Sequence, residues 1–303
     1  MFTTRRAVAA AGLLAVAGLA ACGEDSPDTA ETGNAPPPAE TTTAETAPER
    51  IVSLSPSATE MLFAVGAGDQ VVAVDDQSDF PEDVPTTDLS GFEPNLEAII
   101  EYEPDLVVAS DLPEDVVSGI EAADAAVLLL PAAVELQDTY DQITELAETT
   151  GHEEEGAELV EEMQADIDEL VATVPERDAA ATYYHELDDT LYSVTSATFI
   201  GQIYELAGLE SIADEADPDG ALGGYPQLSP EFLVTADPDY IFLADTECCG
   251  QTAATLAERP GFATLGAVTG GRVVELSDDV ASRWGPRVVD LLRTIIDSTA
   301  DAA

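Results

Sequence analysis

Two stretches of this sequence repeat each other at a constant spacing of 134 residues, Glu97 with Glu231 and Pro104 with Pro238. The first runs Asn95-Leu96-Glu97-Ala98-Ile99-Ile100, then Glu103-Pro104-Asp105, then Leu106-Val107-Val108. The second runs Ser229-Pro230-Glu231-Phe232-Leu233-Val234, then Asp237-Pro238-Asp239, then Tyr240-Ile241-Phe242. Each copy predicts a polar N-cap, an acid in the first helical turn, a short apolar helix, a Pro-Asp break and a buried strand. Asp111 and Asp245 fall at equivalent places just past the two strands. A duplicated unit of this kind points to two similar α/β lobes. Open α/β sheets bind ligands at the carboxyl ends of their strands, so facing lobes would enclose a cleft.

The rest of the chain fits that plan. Strands are expected at Ile51–Leu54, Val71–Val74, Leu106–Ala109 and Ala126–Leu130. Ser57–Val65 reads as a helix with Ser57 as N-cap and Glu60 at the capping-box position. From Glu135 to Val174 almost every residue is a helix former, with Gly151 as a candidate interruption. After Pro175 strands are expected at Ala180–Tyr184, Leu191–Val194, Tyr240–Leu243 and Val273–Leu276, with helices near Phe199–Ala207 and from Pro286 to about Ser298. The domain plan is a signal at 1–21, a tether at 22–49, a lobe at 50–134, a helical bridge at 135–175 and a second lobe at 176–303.

The N-terminus bears on location. Arg5 and Arg6 precede Ala7–Ala21, an almost wholly small, apolar run that is too short for an ordinary transmembrane helix and matches an export signal. It ends Leu19-Ala20-Ala21-Cys22, which looks like a lipobox, so cleavage before Cys22 and lipidation of its sulfur are expected. Plain secretion and an uncleaved anchor are the alternatives. Thr4-Arg5-Arg6 also resembles a twin-arginine signal, which leaves the export route open. Residues 22–49, rich in Thr, Ala, Glu and Pro, read as a disordered tether. The expected location is the outer face of the cell membrane, held by lipid.

Charge narrows the partners. There are 62 Asp+Glu against 9 Lys+Arg, all of them Arg, for a net charge of -53. Removal of residues 1–21, whose only charged side chains are Arg5 and Arg6, takes that to -55. With 45% hydrophobic residues the chain has material for a large core, so the acids form a dispersed coat rather than a disordered tail. Nucleic acid is excluded as a partner, because phosphate binding needs clustered Lys and Arg.

Arg50-Ile51-Val52-Ser53-Leu54-Ser55-Pro56-Ser57-Ala58-Thr59-Glu60, followed by Val65-Gly66-Ala67-Gly68-Asp69, resembles the opening of the solute-binding proteins of ABC importers. The similar type captures cobalamin, ferric siderophores or haem. Ser78-Asp79-Phe80-Pro81, Tyr225-Pro226-Gln227-Leu228-Ser229-Pro230-Glu231 and Gly285-Pro286-Arg287 match the same pattern in order. The resemblance implies two Rossmann-like lobes bridged by a single long helix, small hinge movement, and a lipid-tethered monomer that works with a permease and its ATPase. It implies no cofactor and no catalysis. It also places permease-docking glutamates at Glu97 and Glu231; a plain complement to the helix dipole is the competing reading of both.

Ligand candidates follow from position in that pattern: Ser55 with Pro56 and Ser57, Gln77 to Asp79, Phe92, Asp111, His185, Glu186, Tyr192, Tyr225, Glu247 and Trp284. Aromatic residues suit a large flat ligand, though each singly could be core packing. Arg283 could meet an acidic ligand group, whereas Arg287 suits a structural salt bridge. Cys248 and Cys249 read as a vicinal disulfide making a rigid turn at the cleft rim; two free thiols, a soft-metal site and a buried inert pair are the alternatives. Three other classes compete. Bare metal binding has only His152 and His185 to draw on, a secreted hydrolase would need His185 as its base, and a passive adhesin would need no cleft.

Overall fold

In this computed structural model, which describes residues 47–177 and 179–300, the eight strands form two four-stranded sheets of the same order. The expected signal sequence, Cys22 and the expected tether as far as residue 46 lie outside the described residues. The first lobe contains β1 (Ile51–Leu54), α1 (Pro56–Ala64), β2 (Val71–Val74), α2 (Leu96–Ile100), β3 (Leu106–Ala109), α3 (Glu114–Ala122) and β4 (Ala126–Leu129). Its sheet runs β2-β1-β3-β4 and every pairing is parallel. The bridge is α4 (Leu136–Thr150) and α5 (Glu153–Val171). The second lobe begins with β5 (Ala181–Glu186), α6 (Phe199–Leu206), β6 (Leu209–Ser211), α7 (Pro230–Ala236) and β7 (Tyr240–Leu243). It continues through α8 (Thr246–Cys249), α9 (Ala253–Glu258), α10 (Gly266–Thr269), β8 (Val273–Glu275), α11 (Asp278–Ser282) and α12 (Val288–Thr299). Its order, β6-β5-β7-β8, repeats the first with β5 in the place of β1 and β7 in the place of β3. The duplicated motif is therefore α2–β3 in one lobe and α7–β7 in the other.

Central strands of parallel sheets are covered on both faces and read as continuous apolar runs. β1, β3 and β7 are buried along their whole length. One face of the first sheet has its own core, including Val52, Ile99, Val107 and Ile120; one face of the second has Tyr184, Leu233, Ile241 and Phe262. The remaining two faces share one core. It runs from Ile51 and Met61 through Ile143, Leu146, Met163 and Ile167 of the bridge to Tyr183, Tyr204, Phe242, Leu291 and Ile295. The lobes thus meet through continuous apolar packing as well as through the chain crossing between them.

Several sequence expectations are revised. The helical stretch over 135–175 is two helices, because Gly151 adopts the left-handed region (φ 79°) and closes α4. α1 begins earlier than expected: Ser55 is the N-cap and Pro56 takes the first helical position, where its missing N–H costs nothing. Glu60 makes no capping box and turns inward instead. Leu191–Val194 is not a strand. Leu191 has φ 72°, which breaks the extended run, and Tyr192 makes only an isolated antiparallel bridge to Gln227. At the start of the first lobe the Glu49 and Arg50 N–H groups both donate to the Asp105 carboxylate, at 2.8 and 3.0 Å.

Candidate functional site

A cavity of about 570 Å³ opens at the carboxyl ends of β1, β2 and β3. β1 passes through Leu54 and Ser55 into α1, and the Ser55 hydroxyl accepts from the Ser110 hydroxyl at 2.8 Å, tying β1 to the end of β3. Asp75 follows β2; Ser110 and Asp111 follow β3. Facing them, α11 and its continuation supply Asp279, Ser282, Arg283 and Trp284. Gly91 is required where it stands, since a Cβ there would collide with the Leu54 carbonyl oxygen. That close approach sets the next residue, Phe92, at the cavity with 87% of its surface exposed.

Trp284 is held from three sides. Its backbone N–H donates to the Ser57 hydroxyl at 3.2 Å, its indole N–H donates to Gln142 Oε1 at 3.0 Å, and its carbonyl accepts from the Thr139 hydroxyl at 3.0 Å. A segment late in the chain is thereby fixed onto α1 and α4.

Arg283 is the centre of a charged clasp. It donates to Glu60 Oε1 at 3.0 Å, Asp79 Oδ1 at 2.9 Å, the Gln77 carbonyl at 2.8 Å and Asp279 Oδ1 at 2.6 Å. Arg287 also grips Glu60, donating from Nε to Oε2 at 3.0 Å and from Nη2 to Oε1 at 2.5 Å, and its guanidinium lies over the Phe80 ring at 4.2 Å. The structural salt bridge expected of Arg287 is present. Arg283 differs from its expected role, because both of its terminal nitrogens are engaged by the protein. Burial raises the Asp279 carboxyl to about 6 despite Arg283 beside it. For Asp79 burial acts in the same direction and is the largest single effect, but hydrogen bonds with Arg283 and Asp279 together with the Arg283 charge outweigh it and hold the group below its usual range.

Of the expected ligand residues, Ser55, Gln77, Phe92, Asp111, Arg283 and Trp284 come together around this cavity. Asp79 stands behind it, in the clasp. His185 is corrected: it is fully buried, its Nδ1 2.8 Å from the Tyr204 hydroxyl, and burial pushes its imidazole down to about 3. The residue proposed as a hydrolase's base is therefore a neutral core side chain. Glu186 is also fully buried, gripped by both terminal nitrogens of Arg259 at 2.7 and 2.6 Å. Tyr192 and Tyr225 stay partly exposed on the second lobe, where the Ser193 N–H donates to the Pro226 carbonyl at 3.1 Å and joins their loops. Asp75, Gly91 and Asp279 are lining residues that sequence reasoning missed. The rule that ligands collect at strand ends would have found Asp75, which directly follows β2.

At the matching place in the second lobe, Asp245 follows β7 as Asp111 lies beyond β3. It is fully buried, neither carboxylate oxygen has a partner among the described residues, and burial with Glu186 nearby raises it to about 7. Cys248 and Cys249 form a vicinal disulfide in the exposed last turn of α8. The Thr246, Glu247 and Cys248 N–H groups all donate to the Asp278 carboxylate, at 2.7 to 3.1 Å. Among the described residues no group of three or more His, Cys, Asp or Glu could hold a metal ion.

A family model described as periplasmic binding protein matches residues 51–280. An uncharacterized ABC transporter substrate-binding lipoprotein of Bacillus subtilis is 28% identical over 260 residues, covering 83% of this chain and 80% of its own. A cobalamin-binding protein of Halobacterium salinarum is 30% identical over 260 residues, covering 82% and 68%. The crystal structure of a possible iron-binding, periplasmic solute-binding protein from Staphylococcus epidermidis superposes with a TM-score of 0.71 at 24% identity, over 84% of this chain and 99% of that one.

Proposed function

The chain belongs to the periplasmic binding protein family, and from that premise we propose that it is the extracytoplasmic binding component of an ABC importer. It captures a large metal chelate, either a corrinoid, haem or a ferric siderophore, and hands it to the permease without covalent chemistry. Lipid on Cys22 keeps it at the membrane as a monomer. One observation carries the reading: the most exposed large apolar side chain of the described residues, Phe92, lies at the cavity built from three strand ends. An aromatic ring left in water at such a place offers a flat macrocycle contact area at little entropic cost. Tyr192 and Tyr225 offer similar partly exposed surface from the second lobe. The Halobacterium relative, named as a cobalamin-binding protein, supports the corrinoid within this class.

Glu97 and Glu231 are the docking residues in this reading. Each is exposed in the first turn of its helix, and the shared sheet order makes α2 and α7 equivalents, one carboxylate per lobe. A permease with pseudo-twofold symmetry would meet such a pair with two arginine patches. The function is tested by a thermal-shift panel of cobalamin, haemin and ferric siderophores on the purified protein, since a ligand that binds the folded state raises its unfolding temperature. Failure of every chelate in the panel would reject the proposal.

A further inference from the structure

The cavity wall is acidic and has no cation to spare. Asp75, Asp111 and Asp279 all line it. Asp75 is only 2% exposed; Ser78 donates to its Oδ1, while its Oδ2 accepts no bond among the described residues. The one lining cation, Arg283, is engaged by Glu60, Asp79, Asp279 and the Gln77 carbonyl. No other described arginine lines the cavity. Arg50, Arg177, Arg259, Arg272 and Arg287 each donate to carbonyls or carboxylates of this chain, and Arg293 is exposed on α12. Main-chain donors at the second lobe's counterpart are engaged as well, because Asp278 already fills the N–H groups at the start of α8.

An anionic group entering this cleft would meet carboxylates and a single guanidinium whose charge is already matched by Glu60, Asp79 and Asp279. A neutral amide or an ammonium would meet acceptors, with the unpartnered Asp75 oxygen first among them. Resting on the reading that the cleft holds a metal chelate, we propose that it selects neutral or cationic chelates rich in N–H donors and rejects those bearing free carboxylates or ionised catechols. Discrimination comes from repulsion as much as from attraction, and like charges placed together in a desolvated site suffice for about 100-fold or more.

Four probes separate the outcomes on the full-length, detergent-solubilised protein at low salt: cyanocobalamin (neutral), ferrioxamine B (cationic), haemin and ferric enterobactin (both anionic). Quenching of Trp284, the single tryptophan of the chain, reads binding at the cavity itself. The expected result is that the neutral or the cationic probe binds at least about 100-fold more tightly than either anionic one. Asp111→Lys should narrow that gap about tenfold, by improving the anionic probes. Anionic probes binding as tightly as the others, or a gap that Asp111→Lys leaves unchanged, would overturn the selectivity while leaving the chelate-binding role standing. If none of the four binds, the chelate-binding role itself falls and the selectivity with it.

Discussion

Replacing Glu60 by Gln tests whether the clasp between α1 and the segment after α11 holds the lobes together. Glu60 has 1% of its side chain exposed and accepts three hydrogen bonds from two guanidinium groups. Gln keeps the shape but removes the charge, so both arginines lose a counter-ion in a desolvated place. Breaking a buried pair from one side costs about 3–5 kcal/mol, mostly because the surviving charge is stranded. Arg283 keeps Asp79 and Asp279, so its share is small. Arg287 keeps only the face of Phe80, and its side chain is 18% exposed, which lets water relieve part of the loss. The lower end of the range, about 3 kcal/mol, is therefore expected, or roughly 6–12 °C in Tm for a domain of this size. Urea and thermal unfolding at neutral pH measure it. Glu60→Leu combined with Arg287→Met removes both charges and should recover most of the loss. A Glu60→Gln protein within about 1 kcal/mol of the parent, or a double variant as weak as the single one, would refute the argument.

Three further outcomes are expected. Asp245 is neutral in the folded protein below about 7 and ionised in the unfolded chain above 3.8, so its contribution falls as pH rises through that window. Asp245→Asn should then gain on the parent by about 2 kcal/mol between about pH 4 and pH 8 in denaturant titrations, roughly half the full linkage value once solvent screening of the ionised group is allowed for; a pH-independent difference would contradict this. Glu97→Ala with Glu231→Ala should abolish uptake in cells and leave chelate affinity intact, and lost affinity would count against docking. The -53 net charge repels itself, so the unfolding midpoint should climb as KCl goes from about 0.1 to 1 M and the screening length shrinks from about 10 to 3 Å; a flat response would remove that argument.

Much of the fold was legible because buried parallel strands announce themselves. Tyr240–Leu243 was read to the residue, since Pro238 and Asp239 close the preceding helix and four large apolar residues follow. The repeat supplied the sheet plan, as one lobe's order predicts the other's. What stayed hidden depended on contacts between residues far apart. Nothing around Glu60 signals that its partners lie more than 200 residues later, and a capping box is the best local reading of Ser57 and Glu60. His185 lies just past the expected strand, which stopped at Tyr184, two residues short; β5 runs on to Glu186 and carries the imidazole into the core against α6. Leu191 has an ordinary strand composition around it, and only the turn that returns the chain from β5 forces its φ positive.

The distribution of arginine bears on how far the cleft can move. The chain has no lysine, and its described arginines are chiefly structural. Arginine suits this use, because its planar fork satisfies two acceptors at once and loses little freedom per bond formed. Two of these forks, Arg283 and Arg287, fasten the last segment of the chain to α1 of the first lobe. The shared apolar core runs beneath them from one sheet through α4 and α5 to the other. A wide opening of the lobes would have to part both, exposing desolvated charges and core side chains together. The cavity is lined by Arg283 and not by Arg287, so a ligand there offers the second fork no replacement contact. Wide closure is therefore an expensive way to gain selectivity here. A preformed wall, with its carboxylates already placed and its arginines already engaged, discriminates between ligands without that cost.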